Sequence, residues 1–145
     1  MRKIFLSAIL FAVVLSQGCS TSRYRPGADT GVGYYERRIS ENHYEVFYTG
    51  DKHTGRTDAY DFTILRALEI GRGLGYEYML LNSEKDSTES KWRTYLGESY
   101  TRDYHGYNIK VRYYEEAPKG RYLPEKLFPI RSSYVTLRHK YKLDK

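Results

Sequence analysis

Thr57-Asp58-Ala59-Tyr60-Asp61-Phe62-Thr63-Ile64-Leu65-Arg66-Ala67-Leu68-Glu69-Ile70-Gly71-Arg72-Gly73-Leu74-Gly75 reads as a helix with both of its ends written in. Tyr60, Ile64, Ala67, Leu68 and Gly71 recur at helical spacing and form one stripe, with Leu65 beside it. Thr57 or Asp58 supplies the amino-terminal cap. Asp58 and Asp61 put negative charge in the first turn, Arg72 puts positive charge in the last, and Gly73 and Gly75 stop the helix. A helix with one apolar stripe must bury it, so the segments on either side have to supply a covering surface. The glycines at 71, 73 and 75 match a phosphate-binding loop in composition only. Such a loop follows a strand and opens a helix, whereas these close one.

The flanking segments read as strands. Residues 34–39 and 44–49 are aromatic and β-branched, and the polar run Ser40-Glu41-Asn42-His43 between them is a hairpin signal. In the second of them Tyr44, Val46 and Tyr48 share one face, and Glu45, Phe47 and Thr49 the other. Residues 76–81 form a compact apolar strand directly after the helix. Residues 106–115 alternate cleanly, with Tyr107, Ile109, Val111 and Tyr113 opposed to Asn108, Lys110, Arg112 and Tyr114. Past Pro118, Pro124 and Pro129, residues 133–141 alternate again, with Val135, Leu137, His139 and Tyr141 against Tyr134, Thr136, Arg138 and Lys140. The long polar stretch 82–105 is expected to hold a short helix near 89–96, with Trp92 as a lid over one edge of the core.

These segments predict one α+β domain over residues 34–145. Its antiparallel sheet has about five strands in the order β-β-α-β-β-β, with the main helix packed on one face. If the last two strands are neighbours, Lys110, Arg112, Arg138 and Lys140 form one cationic surface on the side away from the helix, a candidate contact for an anionic partner. The competing reading is a solvated sheet face whose charges block edge-to-edge aggregation.

Upstream of the domain, residues 1–18 have the three parts of an export signal. Arg2 and Lys3 are basic, 4–15 is an apolar run, and small residues follow. The twelve residues of that run are too few for a bilayer core, which needs about 20 helical residues. Leu15-Ser16-Gln17-Gly18-Cys19-Ser20 then permits two outcomes. In one, this is a lipoprotein signal: Cys19 is lipidated, the chain is cut before it, and the new amino terminus carries an acyl chain of the palmitate type. In the other, cleavage after a small-x-small site releases a soluble protein with a free thiol. Ser16 occupies the position where lipoprotein signals usually have Leu, Val or Ile. Cys19 is nevertheless the only cysteine in the chain, and an exported cysteine without a partner favours lipidation. Residues 19–33 are small, polar and turn-rich and read as a flexible tether.

Taking residues 1–18 from the 145 leaves 127, enough for one modest domain, and losing Arg2 and Lys3 lowers the formal charge from +6 to +4. That balance suits anionic envelope surfaces but is common among soluble domains. Seventeen tyrosines favour β structure in which a ring packs while its hydroxyl stays wet.

Several motifs taken together resemble a family of small uncharacterised proteobacterial lipoproteins: Cys19 near Tyr24-Arg25-Pro26, Gly33-Tyr34-Tyr35-Glu36-Arg37-Arg38, Tyr44-Glu45-Val46-Phe47-Tyr48-Thr49-Gly50-Asp51, the helix core Asp61 to Glu69, and Gly75-Tyr76. The likeness spans 19–81. Tyr35, Asp51, Phe62 and Leu68 depart from the family's usual Ser, Asn, Tyr and Ala. The resemblance implies a lipid anchor and the strand-strand-helix-strand order. With Ser20 after the cysteine, it implies an outer-membrane protein facing the periplasm. It implies no activity.

Local signatures of chemistry are sparse. His43, His53, His105 and His139 are scattered, with no His-Glu-x-x-His run and no Gly-x-Ser-x-Gly elbow. No metal or cofactor is expected. Glu36 with Arg38, or Arg66 with Glu69, is a candidate polar network at the sheet-helix seam, and an ordinary intrahelical pair is the simpler account of the latter. The sequence therefore points to a non-enzymatic envelope protein, held to the membrane by its lipid and contacting an envelope protein or an anionic cell-wall component, with no nucleic-acid partner. The second reading is a small periplasmic ligand-binding protein or hydrolase with a cleft near Trp92.

Overall fold

The computed structural model describes residues 24–27, 31–120 and 124–143. Cys19 and the expected export signal, residues 1–18, lie outside them. The fold is α+β. Strands β1 (Gly33–Ser40) and β2 (His43–Thr49) precede helix α1 (Arg56–Gly73). Strands β3 (Tyr78–Asp86), β4 (Glu89–Tyr95), β5 (Glu98–Tyr104) and β6 (Gly106–Tyr114) follow. A single 3-10 turn, Pro124–Lys126, leads into β7 (Leu127–Pro129) and helix α2 (Ile130–Lys140). Five strands form one sheet in the order β1-β2-β6-β3-β7 with every neighbouring pair antiparallel, and β4 and β5 pair only with each other.

The alternation read in β2 and β6 sets the sheet's two faces. Val46 and Tyr48 on β2 turn the same way as Ile109, Val111 and Tyr113 on β6, and all five are fully buried. Against them α1 lays Ile64, Leu65, Ala67, Leu68 and Gly71. Its expected side-chain cap is absent. Gly55 occupies the cap position without a side-chain hydrogen bond, and Asp58 sits in the first turn. Leu74 N–H bonds to Ile70 O and Tyr76 N–H to Gly71 O, closing the last turn before β3.

Residues 133–141, expected as a strand, belong to a helix. The period-two reading began at Ser133 and so missed Ile130, which is buried. From Ile130 the inward residues are Tyr134, Leu137 and Tyr141, spaced four, three and four apart, and all three pack on the core. Val135, inward on the strand reading, is 59% exposed. The fifth strand is instead β7, three residues that pair with Tyr78 to Leu80. The helix expected near 89–96 is likewise a hairpin. Trp92 and Tyr95, three apart, imitate helical spacing, but the two-residue turn Leu96-Gly97 has both φ values positive, 51° and 83°, as a twisted hairpin requires.

Within helix α1 the packing is closest at Gly71. A Cβ there would lie 2.7 Å from Ile130 Cδ1 and 2.7 Å from the Tyr113 ring. That ring is immobile, because it is fully buried and its hydroxyl donates to Ala67 O at 2.7 Å. Alanine improves helix propensity by up to about 1 kcal/mol, whereas overpacking a filled core costs about 1–3 kcal/mol. Gly71→Ala is therefore expected to lower stability in urea titration. Gly73→Ala, at an exposed position with open space around its Cβ, is expected to raise it by a few tenths of a kcal/mol to about 1 kcal/mol. A stabilised Gly71→Ala variant would contradict this packing.

Candidate functional site

The seam between α1 and β1 gathers the residues that decide how the domain is held. Arg66 and Glu69 lie one turn apart on α1, and Glu36 on β1 faces them. Arg66 presents a two-pronged guanidinium to Glu36, with Nε to Oε2 at 3.2 Å and Nη2 to Oε1 at 2.6 Å. Its third nitrogen reaches Glu69 Oε2 at 3.1 Å, and its plane lies 4.6 Å from the Tyr34 ring centre. Burial works against the Arg66 charge, but the two carboxylates outweigh it and hold the guanidinium's pKa above its ordinary value. The pair read from sequence as intrahelical is thus half of a network that joins helix to sheet.

The same Glu69 oxygen accepts a hydrogen bond from the Tyr24 hydroxyl at 2.5 Å. The Tyr24 ring packs on Tyr34 at 4.9 Å and on Phe62 at 5.5 Å. Burial, then the bond to Glu69, raises its phenol's pKa well above the ordinary value. The backbone follows suit: Pro26 bridges Tyr34 in parallel, Gly27 N–H donates to Tyr34 O at 2.8 Å, and Tyr34 N–H donates to Arg25 O at 3.0 Å. The expectation of a flexible tether running to Gly33 is corrected here. Tyr24–Gly27 is docked on β1, because an aromatic residue and a backbone ladder find partners there that the turn-rich composition did not disclose.

The cationic surface expected from Lys110, Arg112, Arg138 and Lys140 does not form. Lys110 and Arg112 are exposed on β6, on the sheet face away from α1. Arg138 and Lys140 lie on α2, which packs beside α1. Arg138 donates to Leu143 O within its own helix end, and Lys140 Nζ reaches Asp61 Oδ2 on α1 at 2.5 Å. The separation follows from residues 133–141 being helical.

What remains on the uncovered face is a smaller polar group. Glu45 is buried between Arg37, which pairs with its Oε2, and Asn108, which donates to its Oε1 at 3.0 Å. Burial pushes the Glu45 carboxyl up, but Asn108 and Arg37 together bring it below its ordinary value. Lys110 lies opposite Glu45 in register and Arg112 opposite His43. Burial, followed by Arg112 and Lys110, lowers the His43 pKa, and its Nε2 is buried with no hydrogen-bond partner among the described residues.

Trp92 covers no core edge. It is 76% exposed, and every residue of β4 is exposed, so no wall stands beside it to make the expected cleft. Grooves run instead along α2. One of about 290 Å³ is lined by Tyr60, Asp61, Ile64, Phe128 and Leu137, and another of about 520 Å³ by Arg72, Tyr76, Glu77, Arg131 and Tyr134. Among the described residues no group of three or more His, Cys, Asp or Glu converges as metal ligands would.

No protein-family profile, curated protein or solved structure matches the chain.

Glu36 and the Arg66–Glu69 pair were both readable as candidates for a seam network, while the link between Glu36 and Arg66 and the docking of Tyr24 were not read. Tyr24 is an aromatic residue in an otherwise aliphatic-poor run, and Glu36, Arg66 and Glu69 are opposite charges on segments assigned to adjoin. Glu69→Gln should weaken the anchorage of Tyr24 while leaving Arg66 on Glu36. Losing a charge-assisted bond costs about 1–2 kcal/mol, so the amides of Gly27 and Tyr34 are expected to exchange with deuterium about five- to thirtyfold faster, with core amides unchanged. Unchanged exchange at both would show that the rings alone hold the segment.

Proposed function

We propose that this is a bacterial outer-membrane lipoprotein, anchored through Cys19, facing the periplasm, and acting without catalysis by contacting another envelope component. The carrying observation is the placement of the only cysteine directly after an export-type apolar run, five residues before Tyr24, the first docked residue of the domain. Burying acyl methylenes contributes about 0.8 kcal/mol each, so two or more chains hold the protein at the bilayer essentially permanently. The attachment is short. From Cys19 to Tyr24 the backbone spans at most about 18 Å when fully extended, so the domain sits against the membrane rather than ranging through the periplasm. The likeness of residues 19–81 to small proteobacterial lipoproteins supports the same reading.

The contact surface on this proposal is the uncovered sheet face, where Lys110 and Arg112 form no ion pair among the described residues and Phe47 and Tyr35 lie beside the Arg37–Glu45 pair. The hydrolase reading has no corresponding observation, since Trp92 lines no cleft.

Two experiments test this. The wild-type chain expressed in a Gram-negative host should incorporate labelled palmitate and fractionate with outer membranes. Cys19→Ser should lose the label and appear in the soluble periplasm or as precursor, and a Cys19→Ser protein that still fractionates as a mature membrane protein rejects the anchor. For the partner, crosslinking in intact envelopes followed by affinity isolation and mass spectrometry should recover a reproducible species. Arg112→Glu should reduce that species at least about fivefold, since reversing a charge at a contact costs on the order of 1 kcal/mol or more; undiminished recovery removes this face from the contact.

A further inference from the structure

The β4–β5 hairpin is the part of the molecule that its own fold does not explain. All seven residues of β4 are exposed, the hairpin forms a sheet of its own, and it contributes nothing to either core cluster. Two-stranded hairpins are marginal in water without a surface to cover. Its apolar residues are also where solubility would forbid them: Trp92 is 76% exposed, Tyr95 69% and Leu96 87%. Leu96 is at the tip with φ 51°, in a turn position that Asn, Asp or Gly occupies without penalty and Leu does not. An exposed leucine in a strained position costs the fold stability, and its value must come from something outside the described domain.

The outer part of the hairpin carries an excess of positive charge. Its outer twelve residues, 91–102, carry Lys91, Arg93 and Arg102 against the single acid Glu98, for a net charge of +2. The acids Glu89 and Asp103 are at the base, where Glu89 pairs with Lys91 and Asp103 accepts from Ser90. From the Leu96-Gly97 turn inward the pairs are Tyr95 opposite Glu98, Thr94 opposite Ser99, Arg93 opposite Tyr100, Trp92 opposite Thr101, and Lys91 opposite Arg102. Arg102 and Lys91 lie over the Tyr100 and Tyr104 rings at 5.4 and 5.2 Å. An exposed Leu96 at the turn, with aromatic and cationic side chains interleaved along both strands behind it, is the composition that suits the interface of an anionic bilayer leaflet, where rings sit at the headgroup level and long cationic side chains reach the phosphates.

The hairpin also leaves the domain from the end at which the chain enters it. Gly33, Thr49 and Gly106 are register partners across β1, β2 and β6, and Ser87 and His105 at the hairpin's base bond to Gly106 and Gly50 at that same end. Because Pro26 runs parallel to Tyr34, the Tyr24 backbone also lies at the Gly33 end. Seven-residue strands reach about 24 Å, against at most about 18 Å between Cys19 and Tyr24. A bilayer holding Cys19 is within reach of the tip.

We infer that the β4–β5 hairpin inserts its Tyr95-Leu96 tip into the interface of an anionic phospholipid bilayer, with Trp92 and Tyr100 at the headgroup level, Lys91 and Arg102 on the phosphates, and the long side chain of Arg93 reaching back to them. This is a second membrane contact, and only its orientation relative to the anchor rests on lipidation at Cys19.

The test uses residues 19–145 with Cys19→Ser, which contains the whole described fold and no lipid. Trp92 is the chain's only tryptophan, so its fluorescence reports on the hairpin alone. On mixing with vesicles of phosphatidylethanolamine and phosphatidylglycerol, its emission is expected to move to shorter wavelength and to lose iodide quenching, with a weaker response to phosphatidylcholine vesicles. Leu96→Asp should abolish the shift and lower the vesicle-bound fraction at least about tenfold in flotation, while circular dichroism keeps the wild-type signal. Trp92 emission unchanged by the anionic vesicles, an equal shift in Leu96→Asp, or a shift produced by isolated peptidoglycan and not by vesicles overturns the inference. A shift without palmitate incorporation in the wild-type chain leaves the hairpin standing and the anchor rejected; incorporation without a shift does the reverse.

Discussion

Arg66 is the interaction on which the placement of the amino-terminal segment depends. Its guanidinium can satisfy two carboxylates at once because five N–H donors are fixed in one plane, and the structure uses that plane to tie Glu36 on β1 to Glu69 on α1. Lysine could not substitute, since a point charge would serve one carboxylate at a time and would not lie flat on the Tyr34 ring. With Glu69 held in place by Arg66, its second role follows: it accepts the Tyr24 hydroxyl, and the ring of Tyr24 then completes the aromatic cluster of Tyr34, Phe62, Tyr48 and Tyr141. A side chain in the middle of the main helix thereby determines where the chain joins the domain.

The other half of the molecule follows a different logic. The sheet and helices bury a continuous core from Val46 to Ile130, and the helix side engages its surface charges: Lys140 with Asp61, Arg66 with Glu36 and Glu69, and the Tyr141 hydroxyl with Asp58 and Asp61. The hairpin beyond Ser87 has none of this support. Its internal contacts include ladder bonds, exposed side-chain hydrogen bonds such as Ser90 to Asp103, an exposed ion pair and rings under cations, each worth about 1 kcal/mol in water. A body that is closed and a projection that is open are different physical objects within one chain, and the second holds the most exposed apolar side chains, Leu96 and Trp92.

How far the sequence disclosed this depends on the range of the interaction. Helix α1 was legible because both its stripe and its terminating glycines are local, and β2 and β6 because residues such as Val46 and Ile109 alternate over a whole strand. Residues 133–141 were misread because an amphipathic segment offset from its first buried residue, Ile130, fits a period of two as well as one of 3.6. The hairpin was misread because its turn is Leu96-Gly97 rather than Asn-Gly, so the usual punctuation was absent. The seam was legible only in outline. Arg66 and Glu69 are three apart, but Tyr24 is 45 residues from Glu69 and Glu36 is 30 from Arg66, and no local pattern reports contacts at that range.

Together, the seam and the hairpin constrain the orientation of the domain more than either does alone. A single tether fixes only a distance, leaving the domain to rotate about its point of attachment. Docking Tyr24–Gly27 along β1 narrows that freedom, because the pairing fixes the end of the domain from which the link to Cys19 departs. That end is the Gly33 end, and the hairpin's base lies there too, bonded through Ser87 and His105. A membrane that holds the chain near Tyr24 would meet the end of the sheet carrying the hairpin, while the open face with Lys110 and Arg112 would stand edge-on to the bilayer. On that geometry the two surfaces do not compete: the hairpin end serves the lipid, and the sheet face stays accessible to a partner approaching from the side.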